Sequence, residues 1–170
     1  MSVHPLCFEP HPVLRAPARR VEAFTEELQQ LARDMIETMY AHQGVGLAAP
    51  QIGWDIQVFV ANPSQRRGRE VVVVNPVLER AEGRASIVEG CLSVPNTWEK
   101  VGRAARIRLQ AQDLNGQPIV LDAEGLMAIV LQHEFDHLQG RLFLDRLSWI
   151  RRVWVALKRT FTRVAASQPA

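Results

Sequence analysis

His133-Glu134-Phe135-Asp136-His137 sets two imidazoles four positions apart, with a carboxylate directly after the first. On a helix a four-residue step brings both rings to one face, a turn apart, where two nitrogens reach one ion. Glu134 then projects beside the ion rather than onto it, and can take a proton from water activated there. The plain alternative is a pair of solvated surface histidines interleaved with acids. A catalytic site of this kind needs three protein ligands and one open position. The candidate third donor is Cys91 in Glu89-Gly90-Cys91-Leu92-Ser93, where Gly90 permits close backbone approach. Sequence spacing alone does not bring Cys91 to the histidines, and a small buried hydrophobe is its other reading. Cys7, without polar company, takes that second reading. Thiolate plus two imidazoles suits Zn²⁺, Fe²⁺ or Ni²⁺.

A second cluster of small residues runs Gly44-Val45-Gly46-Leu47-Ala48-Ala49-Pro50-Gln51. Such side chains let a substrate or another backbone come near, and the Gln51 amide can donate a hydrogen bond to a developing oxyanion. The segment lacks the Lys-Ser/Thr ending of a phosphate loop, which argues against a nucleotide site; as a lone feature it is a structural turn.

These residues need elements to position them. Phe24, Leu28, Leu31, Met35 and Met39 recur at three- and four-residue spacings, which predicts an amphipathic helix over residues 21–41, stopped by Gly44 and Gly46. Residues 56–60 and 71–74 are β-branched runs that read as buried strands, with a solvated turn at residues 64–70 between them. Residues 106–112 alternate strictly, Asn115-Gly116 suits a tight turn, and residues 117–121 return as the partner strand. A helix starting near Asp122 and ending at Gly140 carries the two histidines, with Leu126, Ile129 and Val130 upstream to bury it and dry the site. A last helix is expected over residues 147–165. The fold class is α+β, with mainly antiparallel sheet packed around a central helix and further helices near both ends.

At 170 residues, 47% apolar and 22% charged, the chain reads as one folded domain rather than a disordered or fibrous protein. No run approaches the roughly 18 apolar residues of a membrane span, and the first residues lack the order of a signal peptide, so the expected address is the cytoplasm. Two cysteines in a reducing compartment are expected as thiols. The net charge of +2 is uneven: residues 146–170 hold Arg146, Arg151, Arg152, Lys158, Arg159 and Arg163 and no acid, leaving fourteen basic against eighteen acidic residues before them. The expected division is a catalytic body over residues 1–146 and a basic amphipathic helix and tail over 147–170, with Trp149, Val153, Trp154, Leu157, Phe161 and Val164 near one face. That helix either packs on the body with its charged side in solvent, docks on nucleic acid, or lies on a membrane surface.

Taken together, GVGLAAPQ, EGCLS and HEFDH, in that order and preceded by HPVLR, resemble the peptide deformylase family, whose motifs are GxGLAAxQ, EGCLS and HExDH. The likeness covers almost the whole length and separates the chain from thermolysin-like proteases, which take a carboxylate as third ligand. The resemblance implies that Cys91, His133 and His137 bind one divalent ion, with Fe²⁺ the active form and Zn²⁺ or Ni²⁺ able to occupy the site. It implies Glu134 as the acid/base, Gln51 and the Leu92 N–H as oxyanion donors, a buried Glu89 and Arg103 pair ordering the cysteine loop, and Asp136 in support. It also implies Val45, Gly46, Ile87, Leu126, Ile129 and Val130, with Glu89, around a methionine pocket, N-formyl-Met nascent peptides as substrates, and ribosome docking through the basic helix. A monomer is expected, with neither DNA nor a membrane among its partners. Trp98 departs from the pattern, since many bacterial members have an arginine there, close to the substrate backbone. A metallopeptidase would share the HExxH helix but not the cysteine, and an RNA-binding module resting on the basic tail leaves the three motifs unexplained.

Overall fold

The computed structural model describes residues 2–166, with side chains for residues 2–159. Its elements are α1 (Glu26–Ala41), β1 (Gly46–Ala48), β2 (Val58–Ala61), β3 (Val71–Glu82), β4 (Ala85–Cys91), β5 (Val94–Arg103), β6 (Arg106–Gln112), β7 (Pro118–Glu124), α2 (Gly125–Leu138) and α3 (Trp149–Ala166), with 3-10 turns at Pro12–Arg15, Ala49–Ile52 and Phe143–Arg146. An antiparallel sheet of order β1-β2-β3-β6-β7 forms the frame, and β4 and β5 form a separate hairpin. The architecture is α+β.

Strand alternation explains the layering. In β2, Val58 and Val60 face Leu28, Leu31, Met35 and Met39 of α1, while Phe59 and Ala61 face Ala128, Val130, Leu131 and Leu138 of α2. Both faces of β2 are therefore covered, and all four of its residues are buried. Helix α2 is thus held from below by the sheet, while a smaller cluster of Leu14, Val94, Val101, Leu142 and Phe143 ties the hairpin to the N-terminal turn.

The structure departs from the sequence reading in several places. Helix α1 starts at Glu26, where the Thr25 hydroxyl accepts from the Leu28 N–H, so Phe24 packs from outside the helix. The first strand begins at Val58 instead of residue 56, and the second runs on to Glu82, through register shifts against β6. Asp122 does not cap α2; it stays in β7 opposite Arg108, and the helix begins three residues later at Gly125. There the cross-strand partner outweighs the capping preference. The hairpin of β4 and β5 was not foreseen, because Thr97, Glu99 and Arg103 on β5 point inward and are buried, which hides the alternation from any hydropathy pattern.

Helix α3 runs Trp149–Ala166, two residues later than expected at its start. It lies on the body by the side that carries Arg151 and Val155, and Trp149, Val153, Trp154 and Leu157 are exposed. Of the three readings kept for this helix, packing by its apolar face with the charged side in solvent does not hold over the described side chains. Phe161 and Val164, assigned by spacing to the same face, and the cation Arg163 have side chains outside the described residues.

The end of α2 meets the N-terminal segment closely. Leu138 O accepts from the Ala18 N–H at 2.9 Å, and Gly140 turns the chain at φ 67°. A Cβ at residue 140 would lie 2.8 Å from the backbone of Arg15, which cannot swing aside as a side chain would. Gly140→Ala should therefore combine left-handed strain with a backbone clash and cost about 2 to 3 kcal/mol, seen as a lowered urea midpoint with an unchanged slope.

Candidate metal centre and active site

Three elements converge on one point. Cys91 ends β4, Gln51 sits in the 3-10 turn after β1, and His133, Glu134 and His137 come from α2. Cys91 Sγ lies 3.3 Å from His137 Nε2, and one ligand atom from each of Cys91, His133 and His137 falls within 4.8 Å of the others. With metal–sulfur bonds of about 2.3 Å and metal–nitrogen bonds of about 2.0 Å, two donors on a tetrahedral ion stand about 3.5 Å apart. Donor types and spacing fit one divalent cation.

The residues around the donors fix their orientation. His133 Nδ1 lies 2.9 Å from Glu89 Oε2, which leaves Nε2 for an ion in the manner of a carboxylate–histidine pair. Phe143 stacks on the same ring. Arg103 donates through Nε and Nη2 to the two oxygens of Glu89 at 2.7 and 2.8 Å, and through Nη1 to Asp136 Oδ2 at 2.6 Å. Arg146 donates to Asp136 from the other side. The Glu89, Arg103 and Asp136 side chains are all buried, so a charge network bridges β4 and β5 to α2 beneath the metal centre.

Burial and charge set the proton affinities. Burial raises the Glu89 carboxyl, but the Arg103 fork and His133 prevail and lower it to about 2. Burial opposes the His133 cation, yet Cys91 and Glu89 beside it hold its pKa well above the usual imidazole range. A bound cation takes the place of that proton. His137 goes the other way, held well below the usual range by burial and by the positive His133 and Arg103. Burial pushes Glu134 up to about 7. Its Oε2 is buried and, among the described residues, has no hydrogen-bond partner, as is also true of His137 Nδ1.

Gln51 is oriented by its own turn. Its Oε1 accepts from the Ala48 N–H at 2.8 Å, so its amide nitrogen is aimed at the centre, donating to Ser93 Oγ at 3.3 Å and toward Cys91 Sγ at 3.6 Å. Gly46 is forced by Glu134: a Cβ there would lie 2.8 Å from the Glu134 carboxyl carbon.

A cavity of about 470 Å³ opens onto these groups. Val45, Gly46, Ile87, Glu89, Leu126, Ile129 and Val130 all line it, together with Gln51, Cys91, Leu92, His133 and Glu134. Ile129 and Val130 are buried at its floor, whereas Ile87 and Leu126 are partly exposed at its rim. Trp98 stands at the same rim, exposed, with its ring across Gly90; a Cβ on Gly90 would come within 2.6 Å of it. Arg103 and Asp136 lie behind the metal ligands rather than in the cavity.

Sequence reasoning missed several contributors. Ser93 and Phe143 gave no local signal. Gln132, which clasps Ala104 through both its amide atoms, gave none either. Arg146 was grouped with the basic tail because its acidic partner, Asp136, sits on another element.

An HExxH helix joined by a cysteine sulfur from a distant hairpin, with a buried carboxyl alongside, has the donor set of a metallohydrolase with one sulfur and two nitrogen ligands. Comparison with known proteins specifies it further. The family model described as Polypeptide deformylase matches residues 3–153. A peptide deformylase of Acinetobacter baumannii is 44% identical over 153 residues, covering 89% of this chain and 87% of the relative. The peptide deformylase structure from Legionella pneumophila superposes with a TM-score of 0.89 at 40% identity, covering 99% of this chain and 100% of that one. The one from Thermus thermophilus gives 0.88 at 45% identity, covering 96% of each chain. The chain belongs to the polypeptide deformylase family.

Since Arg103 neutralises two buried carboxylates, Arg103→Ala should destabilise the fold by about 3 to 5 kcal/mol. It should also lower bound metal, because Glu89 would no longer be held against His133. Denaturant titration and metal analysis on the folded fraction measure the two effects separately.

Proposed function

We propose that Cys91, His133 and His137 hold one divalent ion, and that Glu134 and Gln51 act beside it to hydrolyse the N-formyl group from formyl-methionyl peptides, releasing formate. The observation that carries this is the meeting of Cys91 Sγ and His137 Nε2 at 3.3 Å next to a buried Glu134 whose Oε2 has no partner among the described residues. The ion, when bound, would supply a Lewis acid that lowers the pKa of water toward about 7. Glu134 takes the proton from the attacking water at its carboxylate and holds it there, on a buried side chain. Charge that builds on the formyl oxygen is met by the Gln51 amide and the Leu92 N–H, the first pre-aimed by its bond to Ala48. As the carbon–nitrogen bond breaks, the same Glu134 carboxyl returns its proton to the departing amine, and formate leaves. Burial that raises Glu134 to about 7 matches it to both halves of this exchange at neutral pH.

Val45, Ile129 and Val130 give the methionine side chain an apolar seat, with Ile87 and Leu126 at its entrance. Oxygen-sensitive Fe²⁺ is the ion we assign in the cell, in line with the donor set and the family resemblance; Zn²⁺ and Ni²⁺ suit the same donors. We take the monomer as the acting form. We read residues 1–146 as the catalytic body and 147–170 as its basic extension. We place the chain in the cytoplasm, as expected from the sequence; no helix among the described residues is long and apolar enough to cross a membrane. Ribosome association is what the resemblance implies, and the cations of residues 146–170 support it; the orientation of α3 favours a different partner.

Formate release from formyl-Met-Ala by anaerobically prepared protein, compared across Fe²⁺, Ni²⁺ and Zn²⁺, tests the activity, and no release with any ion would overturn it. Glu134→Ala should keep its metal yet lose turnover by about 10² to 10⁴; near-wild-type rates would remove Glu134 from the mechanism. Gly46→Ala should lower kcat with metal content intact, because the added methyl displaces the Glu134 carboxyl. Replacing Gln51 with Met should cost about 2.7 to 4 kcal/mol of transition-state stabilisation, read as a fall in kcat with little change in KM.

A further inference from the structure

Helix α3 is turned inside out relative to an ordinary surface helix. Over the described side chains its side toward the body is mostly polar: Arg151 Nε donates to the buried Glu99 at 2.7 Å, Arg152 Nη2 to Asp145 at 3.3 Å, and Val155 is buried between them. Val155, Lys158 and Arg159 border a small cleft with Pro95, Thr97 and Trp98 of β5. The opposite arc carries Trp149, Ile150, Val153, Trp154 and Leu157, each about half exposed or more. By helical spacing these five fall within about 140° of one another. Arg151 and Lys158 flank the arc, each placing its cation over the Trp154 ring, at 5.0 and 5.3 Å. No acid lies anywhere in residues 146–170.

We propose that this arc is a docking face for an anionic lipid surface, on which α3 lies in the plane of the interface. A helix with large apolar and tryptophan side chains on one side and only cations beside them has the composition of an interfacial helix. Its positive flank complements acidic headgroups. The same observations weigh against other occupants. A second copy would set two acid-free, cationic segments against each other. RNA requires a polar, cationic face turned outward, whereas the outward arc is apolar and its cations stand only at the edge. The proposal stands independently of the catalytic reading, since nothing in it passes through the metal centre.

Flotation of the full, metal-loaded chain with phosphatidylcholine vesicles, with and without phosphatidylglycerol, tests it. Binding should appear with phosphatidylglycerol, shift tryptophan emission to the blue, and weaken by about tenfold or more in its absence or at high salt. Combined Val153→Ser, Trp154→Ser and Leu157→Ser should abolish flotation while leaving the rate on a soluble formyl-Met peptide unchanged. The single change Trp149→Ser, at the most exposed of these positions, should weaken it several-fold. The proposal is overturned if wild-type protein stays behind with phosphatidylglycerol vesicles, or if the serine variants float as well as wild type. It is equally overturned by lipid-free dimers that the serine changes dissolve, which would assign the arc to a second copy. Ribosome co-sedimentation that survives the serine changes, without vesicle binding, would assign the helix to RNA.

Discussion

The guanidinium of Arg103 is the hub of the molecule. One planar fork closes on Glu89 while its remaining nitrogen reaches Asp136, and Glu89 in turn grips the Nδ1 side of His133. Cys91 lies two residues beyond Glu89, and His133 and His137 flank Asp136 in sequence. The network therefore sets the distance between the thiol and the imidazoles, which no backbone hydrogen bond between hairpin and helix does. Removing two carboxylates and a guanidinium from water is costly, and such groups are retained where geometry is worth more than stability. The Glu89 pKa of about 2 expresses the same fact from the carboxylate's side.

Around this hub the fold separates wet from dry. The sheet and α1 enclose the far side of α2, so the helix that presents the histidines has little freedom to tilt. Ile129 and Val130 line the cavity floor one turn before His133 and Glu134, and the burial of Glu134 itself raises its proton affinity. A carboxyl poised near neutrality and a carboxylate at about 2 thus line the same cavity, set apart by burial at Glu134 and by the Arg103 and His133 partners of Glu89.

The legible parts of this design are those whose signal is local. HEFDH lies within one helix, so its geometry follows from the helical repeat, and the alternation of Ile107, Leu109 and Ala111 marks β6 because that strand has one apolar face. Strand β5 escaped because its inward positions are Thr97, Glu99 and Arg103, buried by partners rather than by hydrophobicity. Asp122 misled because a capping residue and an exposed strand residue look alike until Arg108 appears opposite it. Helix α3 shows a different limit: spacing states which side chains share a face but not which face meets the body, and acids at Glu99 and Asp145 reversed the expected one. The meeting of Cys91 with the histidines followed from family resemblance, because no physical rule in the sequence brings residue 91 to residue 133.

The indole of Trp98 lying across Gly90 constrains how this site can diverge. The ring occupies the volume any side chain at residue 90 would need, so a larger residue there requires residue 98 to shrink or its exposed ring to swing away from the rim. Either adjustment reshapes the mouth of the cavity, which couples the two positions sterically.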